Sequence, residues 1–368
     1  TTAVSLFYLY LSELYNNVTY YVPDRYKEGY GVSFQGINYA SDNNISLIIT
    51  LDCGIKAIDK VDYAKEKGID VIVCDHHTPS SELPKAVAIL NPKQKDCSYP
   101  YDELCGCGIA FKLAQAINIV LERPESFVFK YLDLVAIAIA ADIVPVMGEN
   151  RILLAQGLSL INQKPSIPVR KLLQTAKQPY TTTDLVFVVA PRINAAGRIA
   201  HANLVIELLT QKQEKEIISK AYEVEYLNDK RKRLDEEITQ EALVQIVENQ
   251  EENKKTTVVF QPFWHKGVIG IVASRLIENY YRPTLVFTKN EDKLVASARS
   301  VSGFNIYNAL EACQEYLEQF GGHKYAAGLT IKEENYNKFK KAFELIVSQT
   351  IDKELLEQRI NIDLEIKL

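Results

Sequence analysis

Two β-branched runs, "SLIITLDCG" at 46–54 and "DVIVCDHH" at 70–77, stand on either side of a helix-length segment, "IKAIDKVDYAKEKG", that stops at Gly68. This pattern constrains the fold most. Two strands joined by an intervening helix have to lie parallel, and right-handed crossovers are the rule. A third apolar run, "AVAILNP" at 86–92, extends the same sheet. "VTYYV" at 18–22 is rich in strand formers and is also expected to be a strand. The opening "TTAVSLFYLYLSELY" has helical spacing with no strand before it.

The rest of the chain falls into further blocks. Within 204–250, "YEVEYLNDKRKRLDEEITQEALVQIVENQ" has no Gly or Pro to stop it and reads as one long exposed helix, followed by a polar loop, "ENQEENKK". A second α/β alternation begins with "TTVVFQ", passes through "GVIGIVASRLIENY" as a helix, and continues into "RPTLVFTK" and "KLVASARS" as neighbouring strands. The expected organisation is a parallel-sheet α/β domain at 1–203, a connecting helix at 204–250, a smaller α/β domain at 251–355, and a new strand opening within 356–368.

With 368 residues, 47% hydrophobic and 24% charged, the chain can build two full cores. Six cysteines, no signal peptide and no long apolar run fit a reduced, cytoplasmic protein with no membrane association. The longest apolar stretch, "LVAIAIAADIVPV", is interrupted by Asp142 and is too short to span a bilayer. A net charge of -5 argues against a basic coat but leaves room for a local basic groove.

In a parallel α/β sheet, functional groups collect at the C-terminal ends of strands. Asp52 follows one strand, and Asp75, His76 and His77 follow the next; two of only five histidines therefore stand side by side. Asp142, alone in an apolar segment, is costly unless a cation neutralises it. Mixed carboxylate and imidazole donors suit Mn(II) better than Mg(II). The bland alternatives are that Asp52 caps a turn, His77 is a satisfied core histidine and Asp142 caps a helix.

"LDCGI", "CDHH", "ADIVPV" and, further on, "FGGHKYAAG" resemble the DHH phosphoesterases and their associated C-terminal DHHA1 domain. "PDRYKEGYG", "LNPKQ", "YPYDELCGCGIAFKL", "RINAAGRI", "HKGVIGIVASRL" and "SARS" narrow the resemblance to the RecJ-type exonucleases, specific for single-stranded DNA. The resemblance implies two-metal, 5′-to-3′ hydrolysis of phosphodiester bonds in a cleft between two domains, with two Mn(2+) or Mg(2+) ions, single-stranded DNA as partner, and a role in repair and recombination. It places Asp52, Asp75, His76 and Asp142 among the metal ligands, with His77 a ligand or close neighbour. The family's first motif, an Asp-x-Asp pair, would precede Thr1, and its oligonucleotide-binding domain is represented only by "INIDLEI". Both ends therefore read as cut, and this chain alone is expected to be inactive. A nanoRNase or nucleotide phosphatase of the same superfamily, and a non-catalytic DHH scaffold, are the alternatives.

Candidate substrate groups lie outside the ligand set. Gly321 and Gly322 let backbone N–H groups approach a phosphate and His323 can donate to it, although the stretch also reads as a plain turn between helix and strand. Arg299 offers a phosphate-shaped fork at a strand end, or a surface ion pair. Arg192, Asn194 and Arg198 surround what reads as a small-residue turn. "NDKRKRLDEE" is a solvated helical face, Cys97, Cys105 and Cys107 lack the spacing and fourth ligand of a zinc site, and Trp264 is a core aromatic before it is a base-stacking one.

Overall fold

The computed structural model describes residues 1–359, 362 and 364, so the expected strand "INIDLEI" lies largely outside the described residues. The chain divides into two compact units, Thr1–Asn228 and Asp229–Leu368.

The first unit opens with α1 (Thr2–Ser12) and α2 (Phe34–Asp42). It continues through β1 (Leu47–Leu51), α3 (Ile58–Glu66), β2 (Asp70–Cys74) and β3 (Ala88–Leu90). The three strands form one parallel sheet in sequence order, with Leu51 opposite Cys74 and Cys74 opposite Leu90. Strand ends that the sequence separates by more than a helix are thereby brought into one row. Ile37, Ala40, Val61, Ala64, Val71 and Val73 fill the layer formed with α2 and α3.

The expected strand at 18–22 does not form. Its aromatic residues, which give the segment its strand propensity, pack on helices instead: Tyr20 meets Tyr8 of α1 edge-on at 5.1 Å, and Tyr21 lies 5.2 Å from Tyr39 of α2. Strand propensity measures fit to a half-buried surface, and helices supply that surface here.

Beyond the sheet the unit is helical, with α4 (Gly106–Val120), α5 (Leu132–Ala141), α6 (Gly148–Gln163) and α7 (Ala190–Ile199). Every residue of α5 from Leu132 to Ile139 is buried, as expected of a helix that is apolar on nearly all sides. "APRINAAGRI" is not a turn: it forms α7, continuing from a π-helical turn at Leu185–Val189, and Pro191 sits in the first turn, where a missing N–H costs least. The long helix is α8 (Glu214–Glu248), and the division between the two units falls within it.

The second unit holds β4 (Thr257–Phe260), α9 (Ile269–Asn279), β5 (Thr284–Asn290), β6 (Lys293–Arg299), β7 (Gln319–His323), β8 (Ala326–Lys332) and α10 (Tyr336–Thr350). The sheet order is β4-β5-β6-β8-β7, with β4 and β5 parallel and the other pairs antiparallel. Phe287 of β5 packs on Phe339 of α10, which stacks on Phe343. "FGGHKYAAG" is a β-hairpin rather than a helix-to-strand turn, with Gly321 opposite Gly328 and His323 opposite Ala326. Trp264 is buried and donates from Nε1 to Glu241 at 2.6 Å, the expected core role. Among the described residues no helix is long and apolar enough to cross a membrane.

Candidate metal centre

The site is built on the adjoining ends of β1 and β2. Asp52 follows β1 directly, its N–H donating to the Cys74 carbonyl at 2.8 Å, and it turns out of the strand with φ +66°. Aspartate is among the few residues that enter this left-handed region readily. Its carboxylate lies against the first turn of α4, where Gly106 has no side chain to obstruct it: a Cβ there would stand 2.1 Å from Asp52 Oδ1.

Asp75 follows β2 and continues the ladder to the Leu90 carbonyl at 3.0 Å. Its carboxylate is buried and fully engaged within the chain. Oδ1 accepts from the N–H of His76 (2.8 Å), the N–H of His77 (3.2 Å) and His77 Nδ1 (2.6 Å), and Oδ2 accepts from the N–H of Ile55 (3.0 Å). Burial pushes the Asp75 carboxyl up, but the His77 side chain and the Ile55 and His77 amides outweigh it and leave the group below the usual range. The same bond to Asp75 is the main influence holding the His77 imidazole above its ordinary value, against partial burial.

With Nδ1 engaged, His77 keeps Nε2 for another partner, an arrangement typical of metal-binding imidazoles. The buried His76 turns the other way: its Nε2 is 3.2 Å from Asp52 Oδ1 and 3.5 Å from Asp142 Oδ2. Ligand atoms of Asp52, His76 and His77 all lie within 4.8 Å of one another. Of the five residues singled out in the sequence, Asp52, His76, His77 and Asp142 are therefore brought together, while Asp75 stands behind His77 with its oxygens turned inward.

Asp142 occupies the C-terminal cap of α5, where the helix dipole is negative and the last turn carries no basic residue. A carboxylate is unfavourable there without a cation. Burial pushes its carboxyl up, as does the neighbouring Asp52, while His76 and His77 act in the opposite direction. The side chains of Asp52 and Asp142 keep 44% and 41% of their accessibility, enough to receive a solute. Converging carboxylate and imidazole donors, one of them at the negative end of a helix, fit a first-row divalent cation. Gly106 was not singled out in the sequence; its place at a helix start is visible there, but its closeness to Asp52 is a tertiary fact.

The remaining sequence candidates are dispersed. Arg192 is buried in α7 and its donors are spent internally, on Glu225 (2.5 and 2.9 Å), the Val188 carbonyl (2.6 Å) and Thr175 Oγ1 (3.1 Å). Asn194 is exposed on the same helix, and Arg198 is half-buried near its end. In the second unit Arg299 ends β6, holding Ser297 Oγ at 3.1 Å and the Ala298 carbonyl at 2.8 Å. Among the described residues it forms no ion pair, and burial lowers its pKa. Gly321, Gly322 and His323 are exposed along β7. Cys105 caps α4, and burial pushes its thiol up to about 12, as it does those of Cys53 and Cys74; Cys97 is exposed.

Residues 1–139 match the DHH family, N-terminal domain, and residues 236–349 match the DHHA1 domain. The crystal structure of exonuclease RecJ bound to manganese superposes with a TM-score of 0.84 and 30% identity, covering 95% of this chain and 88% of that one. The chain belongs to the RecJ family. Curated RecJ relatives, each a single-stranded-DNA-specific exonuclease, are 38% identical in Bacillus subtilis, over 96% of this chain and 45% of the relative, and 36% identical in Escherichia coli, over 94% and 63%. The chain thus spans about half to two thirds of the length of these RecJ proteins.

Proposed function

We propose that this chain carries the hydrolytic part of a RecJ-type exonuclease that cuts phosphodiester bonds of single-stranded DNA from the 5′ end with two divalent cations, Mn(2+) or Mg(2+). The observation that carries the reading is the convergence of Asp52 Oδ1 and Asp142 Oδ2 on His76 Nε2, with His77 alongside. Divalent cations in such a site polarise the phosphoryl oxygen, lower the pKa of water and stabilise the leaving oxygen.

The chain's own residues supply the frame. Asp52, His76, His77 and Asp142 are the proposed donors, and Asp75 fixes the ring and tautomer of His77 through the 2.6 Å bond to Nδ1. Residues 1–203 form the proposed phosphoesterase domain and 251–355 the substrate-binding domain. Asn194, Arg198, Arg299, His323 and the Gly321 and Gly322 amides are the proposed DNA contacts. Arg192, with its donors committed to Glu225, is proposed to act on DNA only by holding α7 in place.

The test is cleavage of 5′-labelled single-stranded DNA and of blunt duplex, with Mn(2+) and with chelator, by this chain preceded by a strand that carries the family's Asp-x-Asp pair. Release of labelled mononucleotide from the single strand alone, abolished by chelator and by Asp142→Ala, is expected. Equal cleavage with chelator, or equal cleavage of duplex, would overturn the reading.

A further inference from the structure

The segment that follows Asp142 is bonded by an asparagine outside the ligand set. Asn150, in the first turn of α6, is fully buried. Its Nδ2 donates to the Glu103 carbonyl at 2.6 Å and the Pro145 carbonyl at 3.1 Å, with Tyr101 Oη at 3.3 Å. Tyr101 Oη donates to the same Pro145 carbonyl at 3.1 Å, and the Tyr101 ring lies where a Cβ on Gly148 (φ +47°) would come within 2.7 Å.

The two carbonyls belong to the two segments that carry carboxylates of the site. Pro145 lies three residues beyond Asp142, in the short link between α5 and α6; that link begins with a tight turn, Val144 N–H to the Asp142 carbonyl at 2.8 Å. Glu103 lies three residues before Gly106, the glycine against which the Asp52 carboxylate rests. A single amide therefore ties the Asp142 segment to the start of α4. The orientation of the amide is fixed by its surroundings, because exchanging its nitrogen for oxygen would set an acceptor against two carbonyls. Among the described residues its Oδ1 is buried without a partner, so its nitrogen makes the bonds that this side chain contributes.

We infer that Asn150, supported by Tyr101, is a positioning residue that sets the separation of the Asp52 and Asp142 carboxylates and so tunes the affinity of the site for a divalent cation. The inference rests on the metal reading above. Groups that orient metal ligands typically alter affinity by about 10- to 100-fold when removed.

The experiment is Mn(2+) titration, by calorimetry and by the electron paramagnetic resonance of the ion, on the wild-type chain, Asn150→Ala, Tyr101→Phe and Asp142→Ala. Thermal unfolding of each metal-free protein sets a temperature at which all are folded. The expected result is an affinity about tenfold or more weaker in Asn150→Ala, with an altered spectrum of the bound ion. Tyr101→Phe, which keeps the ring against Gly148 and loses only the hydroxyl, is expected to fall between it and wild type. A purely structural role would lower the unfolding temperature and leave the folded protein's affinity and spectrum unchanged, which overturns the inference while Asp142→Ala still reports on the metal site. If Asn150→Ala does not fold, an unchanged affinity in Tyr101→Phe overturns it equally. Absence of Mn(2+) binding by the wild-type chain removes the metal reading and the inference together.

Discussion

Replacing Gly106 by alanine tests the geometry of the centre without touching a donor. Helix propensity alone favours alanine over glycine by about 1 kcal/mol. The structure dictates the opposite outcome, because the new Cβ would stand 2.1 Å from Asp52 Oδ1, 2.5 Å from its Cγ and 2.6 Å from its Cβ. Ordinary contact begins near 3.4 Å, so the carboxylate has to retreat by about 1.3 Å. Asp52 cannot give way through its backbone, since φ is already +66° and its N–H is held by the Cys74 carbonyl. Rotation of the side chain takes Oδ1 and Cγ off the new methyl but leaves Cβ where it is, so the first turn of α4 must shift as well, and the two movements together disturb the 3.2 Å approach of Asp52 to His76. Functional constellations tolerate displacements of about 0.5 Å, so Mn(2+) affinity is expected to fall by about 10- to 100-fold, roughly 1.4–2.7 kcal/mol. Overpacking is expected to cost about 1–3 kcal/mol of stability. Gly108→Ala is the control: on the same helix, its Cβ would meet Leu104 and Cys105 at 3.5 and 3.6 Å, ordinary distances. Calorimetric Mn(2+) titration of both variants gives the comparison, and equal affinities would refute the reasoning.

Asp75→Asn is expected to destabilise the metal-free chain by about 1–3 kcal/mol, because a buried acceptor of four N–H groups is weakened; chemical denaturation measures it. The pH dependence of that loss follows from the shifts: the depressed Asp75 carboxyl contributes stability above about pH 4 that is lost as pH falls, and the raised His77 contributes below about pH 6.5 stability that is lost as pH rises through its folded value. The difference between wild type and Asp75→Asn is therefore expected to be largest between those limits, and a difference independent of pH would contradict the pairing. Arg192→Met strands Glu225 and is expected to cost about 3–5 kcal/mol, while adding Glu225→Leu recovers most of it; single-strand affinity of the folded double variant stays at the wild-type level if Arg192 does not touch DNA. Arg299→Ala and His323→Ala are expected to weaken single-strand binding, each lowering the salt slope by about 0.7 for every phosphate the side chain neutralises, with Mn(2+) affinity unchanged. Wild-type binding across the salt series in both would remove these residues from the DNA interface.

Much of the fold is legible because the periodicities are strong and local. β1, α3 and β2 follow from two β-branched runs around an amphipathic segment that ends in glycine, and the ends of β1 and β2 are the natural place for donors. Where local chemistry is ambiguous, tertiary partners decide. Tyr20 and Tyr21 have a helix surface to pack on and make no strand. The small residues of "RINAAGRI" fit a tightly packed helix as well as a turn, and Arg192, which resembles a phosphate ligand in the sequence, finds Glu225 thirty-three residues on. Side-chain direction is the least legible property. The sequence "CDHH" names three donors but does not say that the first turns inward to orient the third while the second faces Asp52 and Asp142. Asn150 carries no signal at all, because its role is to join two backbone carbonyls that only the fold brings together.

The most direct test of the central claim is anomalous diffraction at the manganese edge from crystals of this chain grown with Mn(2+). A peak about 2.0–2.3 Å from Asp52 Oδ1, His76 Nε2 and an Asp142 carboxylate oxygen is the result the account predicts. A chain saturated with Mn(2+) that shows no peak within reach of these three residues, or holds the ion elsewhere, would contradict it.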